Sequence, residues 1–543
     1  MTQGARVDLA ELVKWSALYA VLAGYYLSFS KYGFNIWDEG GFANGSLRTL
    51  NGEMAGRDFN PIGYTPGRYV FGEFLFRVFG VHLQSLRIGV ALLTPAMVIA
   101  LYAVGRRIMP PGFALVAALF LLSAPSMYYN RFFIFFTVLN LFCLIRCMEA
   151  MTRGRLLILA GVVLLSAYFK FEVAMYSTLI AGVALGLLLW KRRRESDAGP
   201  GFQKTWSIAL HRPVFWVTVA GLAAALAALL YYVSSINLYE KGVRQLLESY
   251  EVWGNPMPAL FPVGEVWATM KPHEYFDRVL FYIPPLLYAL TGLLLAWRLL
   301  RREGGWRMQD YYLFVIFAFG LCSFGLVIWR SGHDNLLRTL APAYLLFCYG
   351  LYLVWNRATK APLFSGGGLL KRMPLNLLLL LAPFFYLYEM NVNHGFYAGS
   401  IGAMRQETTR LTLERMDVYT NEAEALMIEN VLERIQIYSD KNDRIFALPL
   451  NPIFYFISER SNPTPYDWIL PGMLDEGGER KVIEYLRKDS PKVIIYVDIP
   501  IDGKNERRFV KYSPQVFNYI AENYLFDEFV GYFQILLPRS ILE

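Results

Sequence analysis

The sequence predicts a polytopic α-helical membrane protein of about eleven transmembrane helices, followed by a C-terminal extracytoplasmic α/β domain. Three observations carry that prediction. Hydrophobic residues make up 55% and aromatic residues 16% of the 543-residue chain, and its mean hydropathy is +0.33, beyond what a soluble globular chain carries. Apolar runs, most of them near the roughly 17 to 25 residues that a helix needs to cross a hydrocarbon core, recur until about Tyr388. Hydropathy then falls and stays low to the end, over a length normal for one domain. The boundary is drawn between residues 1–391 and 392–543.

The eleven runs lie near Leu9 to Ser30, Ser85 to Val104, Phe113 to Met127, Phe132 to Met148, Leu156 to Phe169, Val173 to Trp190, Pro213 to Val233, Val279 to Trp297, Tyr311 to Ile328, Leu340 to Val354 and Leu375 to Tyr388. The third, the fifth and the last two are short. Basic residues fix an expected orientation, because Lys and Arg near helix ends stay on the cytoplasmic side. Alternate connections hold Arg106 and Arg107; Arg153 and Arg155; Lys191 to Arg194; Arg298, Arg301, Arg302 and Arg307; and Arg357, Lys360, Lys371 and Arg372. The other connections hold the acids, histidines and aromatics: Tyr32 to Gln84, Tyr128 to Arg131, Lys170 to Glu172, Ser234 to Arg278 and Arg330 to Arg338. An amino terminus inside and an odd number of spans place the last domain outside. The net charge of +8 is thereby mostly an orientation signal, and nucleic acid is not an expected partner, since that would need a basic face on a soluble module.

The first apolar segment is long and lacks a small-residue cleavage pattern, so it is expected to remain as an anchor. Cys143, Cys147, Cys322 and Cys348 all fall inside predicted spans, which reads as reduced packing residues rather than a disulfide or metal framework.

In the outer loop at 32–84, Glu39 to Asn51 and Arg68 to Phe79 have helical character and should lie along the interface. Asp38 stands as a possible N-cap for the first of them. Between the two helices, Asp58 to Arg68 is turn-rich and polar, as suits a substrate-facing loop. In the last domain, Ala403 to Tyr438 reads as a long amphipathic helix or pair of helices. Arg444 to Leu448 and Lys492 to Asp498 read as buried strands, Glu479 to Lys488 and Pro514 to Glu522 as helices, and Gly531 to Leu537 as a closing strand.

The chemistry-bearing residues gather on the outer side. Asp38 and Glu39 follow the first span, and carboxylates at a membrane surface usually mark a site that handles protons, ions or polar substrates. Arg131 and Lys170 sit at helix ends on the side where the orientation rule disfavours cations. Phosphate binding explains them; the plainer reading is snorkelling to headgroups, with Glu172 pairing to Lys170. Arg330, His333, Asp334 and Arg338 form a second cluster, and planar guanidinium groups there suit a phosphate better than ammonium; the plainer reading is a hydrated loop of local salt bridges. His273 with Asp38 and Glu39 is a metal set only if geometry converges, and a lone loop histidine is more often not a ligand.

Several motifs then fall in order. Trp37-Asp38-Glu39 opens the outer loop, followed by Leu50-Asn51-Gly52-Glu53, Tyr64-Thr65-Pro66-Gly67-Arg68-Tyr69, the run Phe79 to Leu93 and the turn Gly105-Arg106-Arg107. Tyr129-Asn130-Arg131 and Lys170-Phe171-Glu172 come next, and later Arg330 to Pro342 and Asn462 to Asp467. This series resembles the GT-C glycosyltransferases, and within them the branch of the protein O-mannosyltransferases and the aminoarabinose transferase that modifies lipid A. The similarity is clearest over roughly the first 190 residues. It implies a GT-C-like membrane domain that transfers a sugar from a polyprenyl-phosphate donor to a glycan, lipid or protein acceptor at the outer face of a bacterial inner membrane. It further implies Asp38 as the base for the acceptor hydroxyl, with Glu39 and Asp58 as the nearby alternatives, and inversion at the sugar carbon. Asp58, Tyr64, Arg68, Arg131, Lys170, Glu172, Arg330, His333 and Arg338 are the implied substrate-binding residues. No cofactor is expected; some branches use a divalent ion, which is not favoured here. Membrane lipids complete the expected partners. A lipid-linked-sugar flippase or a non-catalytic envelope-assembly scaffold are the alternatives; a transporter should show internal repeats, which are not evident. A cytoplasmic nucleotide-sugar transferase would need a soluble inner domain, and the largest inner loop, Lys191 to Arg212, is too short for one.

Overall fold

The computed structural model describes residues 9–61, 64–123, 131–196, 254–261, 270–301, 305–360, 369–390 and 401–542. Its membrane part contains α1 (Leu9–Ser28), α2 (Asp38–Leu50), α3 (Gly67–Phe79), α4 (Leu83–Gly105), α5 (Pro111–Ser123), α6 (Arg131–Glu149), α7 (Arg153–Phe169), α8 (Phe171–Ser196), α9 (Pro272–Arg301), α10 (Met308–Trp329), α11 (His333–Thr339), α12 (Ala341–Ala358) and α13 (Leu369–Tyr388). All of them except α2, α3 and α11 fall on ten of the eleven apolar runs. The seventh run, Pro213 to Val233, lies outside the described residues.

The chain is a multi-pass membrane protein. By length and apolarity alone, α4, α6, α8, α9 and α10 are each able to cross a membrane, and the pair α11 and α12, bent by 63°, makes a sixth if counted as one broken span. The expected eleven is therefore not reached by that criterion among the described residues. The physical reasons are local: α5 has 13 residues and α7 has 17, and α1 carries Glu11 and Lys14 in its first turns.

The basic turns converge on one end of the bundle. Arg107 Nε lies 2.7 Å from Glu149 at the end of α6, Arg155 donates to the Arg146 carbonyl at 2.6 Å, and Gln309 reaches the Ile108 carbonyl at 2.7 Å. Lys191 donates to the Trp306 carbonyl. Arg298 joins Asp310 and the Tyr349 hydroxyl, each at 2.8 Å. Arg298 and Asp310 are buried and must be paired, and together these contacts fix which turns are neighbours.

The opposite end carries α2, α3 and the C-terminal segment, and these share one apolar core that runs from Phe42, Tyr69 and Leu75 to Ile428, Phe454 and Ile535. Polar bonds cross the same boundary. Leu83 N donates to the Arg415 carbonyl at 2.8 Å, Asn60 N to Pro465 at 2.8 Å, and Arg48 pairs with Asp467 at 2.8 Å. A Cβ on Gly40 would sit 2.5 Å from the Ile453 backbone nitrogen, so only glycine lets α2 approach the helix Ile453–Ser458 this closely.

The C-terminal segment holds a four-stranded sheet ordered β3-β4-β6-β5, with β3 (Ile445–Leu448) parallel to β4 (Val493–Tyr496), and β6 (Phe533–Pro538) antiparallel to both β4 and β5 (Tyr524–Val530). Helices Glu476–Lys488 and Pro514–Asn523 stand where expected. Ala403 to Tyr438 does not: a helix at Ile401–Gln406 is followed by the antiparallel hairpin β1 (Thr409–Leu413) and β2 (Met416–Thr420), and only then by the helix Glu422–Tyr438. Period-two burial decides it, with Leu411, Met416, Val418 and Thr420 inward and charged residues between them. Strand β5 was also not expected.

Helix α3 has two faces. Gly67, Arg68, Tyr69, Gly72, Leu75 and Phe76 are buried, whereas Val70, Phe74 and Val78 form an exposed apolar row at four-residue spacing. An apolar outward face on a helix too short to span suits the expected placement along an interface.

Candidate active site

Asn35 starts α2. Its side-chain oxygen accepts from Trp37 N at 3.1 Å and Asp38 N at 2.8 Å, while its amide nitrogen lies 3.3 Å from Asp38 Oδ2. Asp38 is thus the first residue of the helix and not its cap, a correction with a plain cause: Asn35 already satisfies the exposed N–H groups.

Glu39 is held elsewhere. Both of its oxygens face Arg87, at 2.8 Å from Nε to Oε1 and 2.6 Å from Nη2 to Oε2, and Asn35 N adds a third bond at 3.1 Å. Arg87 also donates to the Ser30 and Gly33 carbonyls at 2.9 and 2.8 Å. This buried bidentate pair ties the end of α1 to α2 and α4. Three bonds thus hold the Glu39 carboxylate within the protein. Asp38 is half-buried.

Asp38, Phe42 and Gly45 share one face of α2. A Cβ on Gly45 would lie 2.3 Å from the Tyr69 ring, and the Phe42 ring lies 5.7 Å from the Arg68 guanidinium and 6.2 Å from Phe132. The face headed by Asp38 therefore runs down to α3 and to the start of α6.

Arg68 is 1% exposed. One nitrogen donates to the Tyr69 hydroxyl at 2.9 Å, while Nε and Nη1 are buried with no hydrogen-bond partner. The guanidinium lies against three rings, 3.7 Å from Tyr64, 4.5 Å from Tyr69 and 5.7 Å from Phe42. Lys170 Nζ lies 3.9 Å from the Tyr64 ring, so the ring has a guanidinium and an ammonium as neighbours. Among the described residues the acid paired with Lys170 is Glu172, at 3.8 Å and half-exposed, too far for a hydrogen bond. Thr65 Oγ1 is also buried without a partner. A Cβ on Gly67 would stand 2.5 Å from the Tyr168 carbonyl, which brings the start of α3 against the end of α7 and Arg68 beside Lys170. Burial pushes the Tyr69 hydroxyl up to about 12, with Arg68 pulling the other way, so it stays a neutral donor at neutral pH.

Arg131, 1% exposed, donates to Thr94 Oγ1 at 2.6 Å and lies 4.8 Å from the Tyr26 ring. Its neighbour Phe132 touches Phe42 and Phe169, which places Arg131 next to the same region. Arg338 is half-buried on α11, which packs against α6.

Three expected substrate-binding residues are engaged elsewhere. Asp58 is paired with Arg57 at 2.7 Å and accepts from Met54 N, and Arg57 holds its carboxyl below the ordinary range. Arg330 pairs with Asp502 at 3.1 Å and so braces the C-terminal segment. His333 Nε2 faces Asp277 at 3.7 Å. Among the described residues no three His, Cys, Asp or Glu side chains are gathered as metal ligands; nothing is described of the His273 side chain. Sequence reasoning missed Asn35, Phe42, Tyr69 and Arg87. The available signal for Arg87 was an arginine inside an apolar run, which needs an acid nearby.

No protein-family model matches the chain, and no curated protein sequence matches it. Solved structures do. ArnT from Cupriavidus metallidurans in the apo state aligns over 97% of this chain and 97% of its own, at 13% identity and a TM-score of 0.50. The oligosaccharyltransferase of Archaeoglobus fulgidus, tethered to an acceptor peptide containing the NVT sequon, aligns over 97% of this chain and 74% of its own, at 10% identity and a TM-score of 0.50. At such identities the likeness is one of fold, and the fold is of the GT-C type.

Proposed function

We propose that the protein is a membrane glycosyltransferase that moves a sugar from a polyprenyl-phosphate donor to an acceptor at the end of the bundle bearing α2, α3 and the C-terminal segment. One observation carries this reading: a buried arginine with two nitrogens lacking hydrogen-bond partners lies on one tyrosine ring together with a lysine, below the helix that begins with Asp38. A buried cation lacking partners costs free energy, and an anionic group arriving with the substrate supplies what is missing.

In this reaction Arg68 and Lys170 hold the donor phosphate, Tyr64 sets their spacing, and Arg131 and Arg338 extend the cationic wall. Asp38 takes the proton of the acceptor hydroxyl as its oxygen bonds to the sugar C1. The C1–O bond to phosphate breaks and the electron pair leaves with polyprenyl phosphate, whose charge the cations stabilise. One carboxylate opposite the leaving group gives inversion. The cationic wall neutralises the leaving charge without requiring a divalent ion. On this reading the basic end faces the cytoplasm, in line with the retention of Lys and Arg on that side, the amino terminus lies inside, the site outside, and the membrane is a bacterial inner membrane.

The test is incubation of the purified protein with a panel of polyprenyl-phosphate sugars in native membrane extract, reading released polyprenyl phosphate by mass spectrometry. Release that Asp38→Asn abolishes, with donor still bound, is the expected result. No release with any donor refutes catalysis; movement of donor across liposomes without acceptor assigns a transporter; an intact cellular phenotype in Asp38→Asn assigns a scaffold.

A further inference from the structure

Helix α3 begins at the cation site itself. Pro66 stands at its N-cap, and no side chain caps the helix. The N–H groups of Tyr69 and Val70 both bond to the Pro66 carbonyl, at 2.9 and 3.1 Å, so the ladder starts there and the N–H groups of Gly67 and Arg68 stand ahead of it. The N-terminus of a helix carries about half a positive charge and binds anions through such groups.

Two buried side chains meet this helix end. Thr65, directly before the N-cap, is 5% exposed, and its hydroxyl oxygen has no hydrogen-bond partner, an arrangement that costs free energy until a partner arrives. Arg68, in the first turn, keeps Nε and Nη1 without partners. Side chains of a helix lean toward its N-terminus, and the Arg68 guanidinium lies back against the ring of Tyr64, at 3.7 Å. Lys170 Nζ is 3.9 Å from the same ring, and its paired acid, Glu172, is half-exposed at 3.8 Å. A hydroxyl, two backbone N–H groups and two cations thus gather around the start of α3.

We propose that Thr65 and the N-terminus of α3 belong to the donor site: the Thr65 hydroxyl and the N–H groups of Gly67 and Arg68 donate to the oxygens of the donor phosphate, while Arg68 and Lys170 balance its charge. This rests on the reading of the protein as a polyprenyl-phosphate sugar transferase and deepens it. Cations alone hold an anion at a distance without fixing its orientation. Directional donors fix the phosphate, and with it the line along which the C1–O bond breaks. The same contacts strengthen as the departing phosphate gains negative charge.

The test measures hydrogen–deuterium exchange of the full chain in detergent, over the peptide 64–70, with polyprenyl phosphate, the uncharged polyprenol or inorganic phosphate at equal concentration. Slowed exchange with polyprenyl phosphate alone is expected. Thr65→Val, which keeps the shape and removes the hydroxyl, should weaken retention of polyprenyl phosphate about tenfold while retaining polyprenol as before and unfolding no earlier than the wild type; Thr65→Ser should restore retention. Exchange slowed equally by polyprenol or by inorganic phosphate, or full retention of polyprenyl phosphate in Thr65→Val, overturns the inference and leaves the transferase reading standing. A wild type that retains no polyprenyl-phosphate sugar refutes that reading and this inference with it. The exchange measurement needs no variant and decides the matter if Thr65→Val misfolds.

Discussion

Arg68 and Arg87 are each 1% exposed, yet replacing them by methionine should have opposite consequences. Arg87 makes four charge-assisted bonds, two to Glu39 and one each to the Ser30 and Gly33 carbonyls. Removing it strands a buried carboxylate, a change that costs about 3–5 kcal/mol. Arg68 has one bond, to Tyr69, and three ring contacts. That bond contributes about 1.5–3 kcal/mol and each ring roughly 0.5–1 kcal/mol. Against this stand two buried nitrogens without partners, at about 1–3 kcal/mol each. At their central values the terms cancel to within about 1 kcal/mol, and the Tyr69 hydroxyl keeps its bond to the Pro61 carbonyl at 3.1 Å. Arg68→Met should therefore unfold near the wild-type temperature in detergent while losing donor binding, and Arg87→Met should unfold well below it. Unfolding midpoints read with a thiol-reactive dye, alongside retention of a polyprenyl-phosphate sugar, settle the comparison. Equal destabilisation by the two substitutions, or unaltered donor retention in Arg68→Met, would refute the assignment of Arg68 to the phosphate.

Asp38→Asn should lower turnover by about 10²–10⁴-fold with an unchanged unfolding midpoint, because Asn35 rather than Asp38 caps α2; steady-state release of polyprenyl phosphate measures it. Gly40→Ala should cost about 1–3 kcal/mol by overpacking and expose the 409–542 region to limited proteolysis, since the new Cβ meets the Ile453 backbone. Asp417 is held well below the ordinary carboxylate range, first by Arg410, with Lys31 on its other side. Its contribution is fully present above the unfolded value of about 3.9 and is lost as pH falls through the depressed folded value. The midpoint difference between wild type and Asp417→Asn should then be constant from pH 5 to 7 and shrink only below about pH 4. Release of polyprenyl phosphate should persist in a chelator, as the cationic wall supplies the charge stabilisation; complete loss restored by a divalent ion would overturn that part.

The membrane class, the alternation of basic turns and the helices α2 and α3 were legible because hydropathy period and charge are local properties. So were β3, β4, β6 and the two helices of the sheet region. The hairpin at 409–420 was not, because Thr409 to Arg415 mixes charges with apolar residues and only the docking of Leu411 and Val418 onto the core reveals its period of two. Candidate site residues divided in the same way. Tyr64, Arg68 and Lys170, which the structure brings together, could be picked out by their place in the loops between apolar runs and by residue type. Glu39 and Arg330 were equally plausible by those criteria, and only their partners, Arg87 and Asp502, assign them to structure.

That division points to a more general criterion for reading charged residues in such an end-on site. Burial alone does not separate function from architecture, since Arg68, Arg87 and Arg131 are equally hidden. Satisfaction does. Glu39 with Arg87 and Arg298 with Asp310 close their hydrogen bonds within the protein, so a ligand could recruit them only by breaking what holds the helices together. Arg68 keeps donors in reserve, and the fold maintains that arrangement at a cost, through close approaches at Gly45 and Gly67 that admit no side chain. Gly67→Ala is then the sharper perturbation of the site: it should separate Arg68 from Lys170 and weaken donor binding, although it changes no charged residue. A variant that folds with both the Arg68–Tyr64 contact and donor affinity intact would show that the spacing of the two cations is incidental.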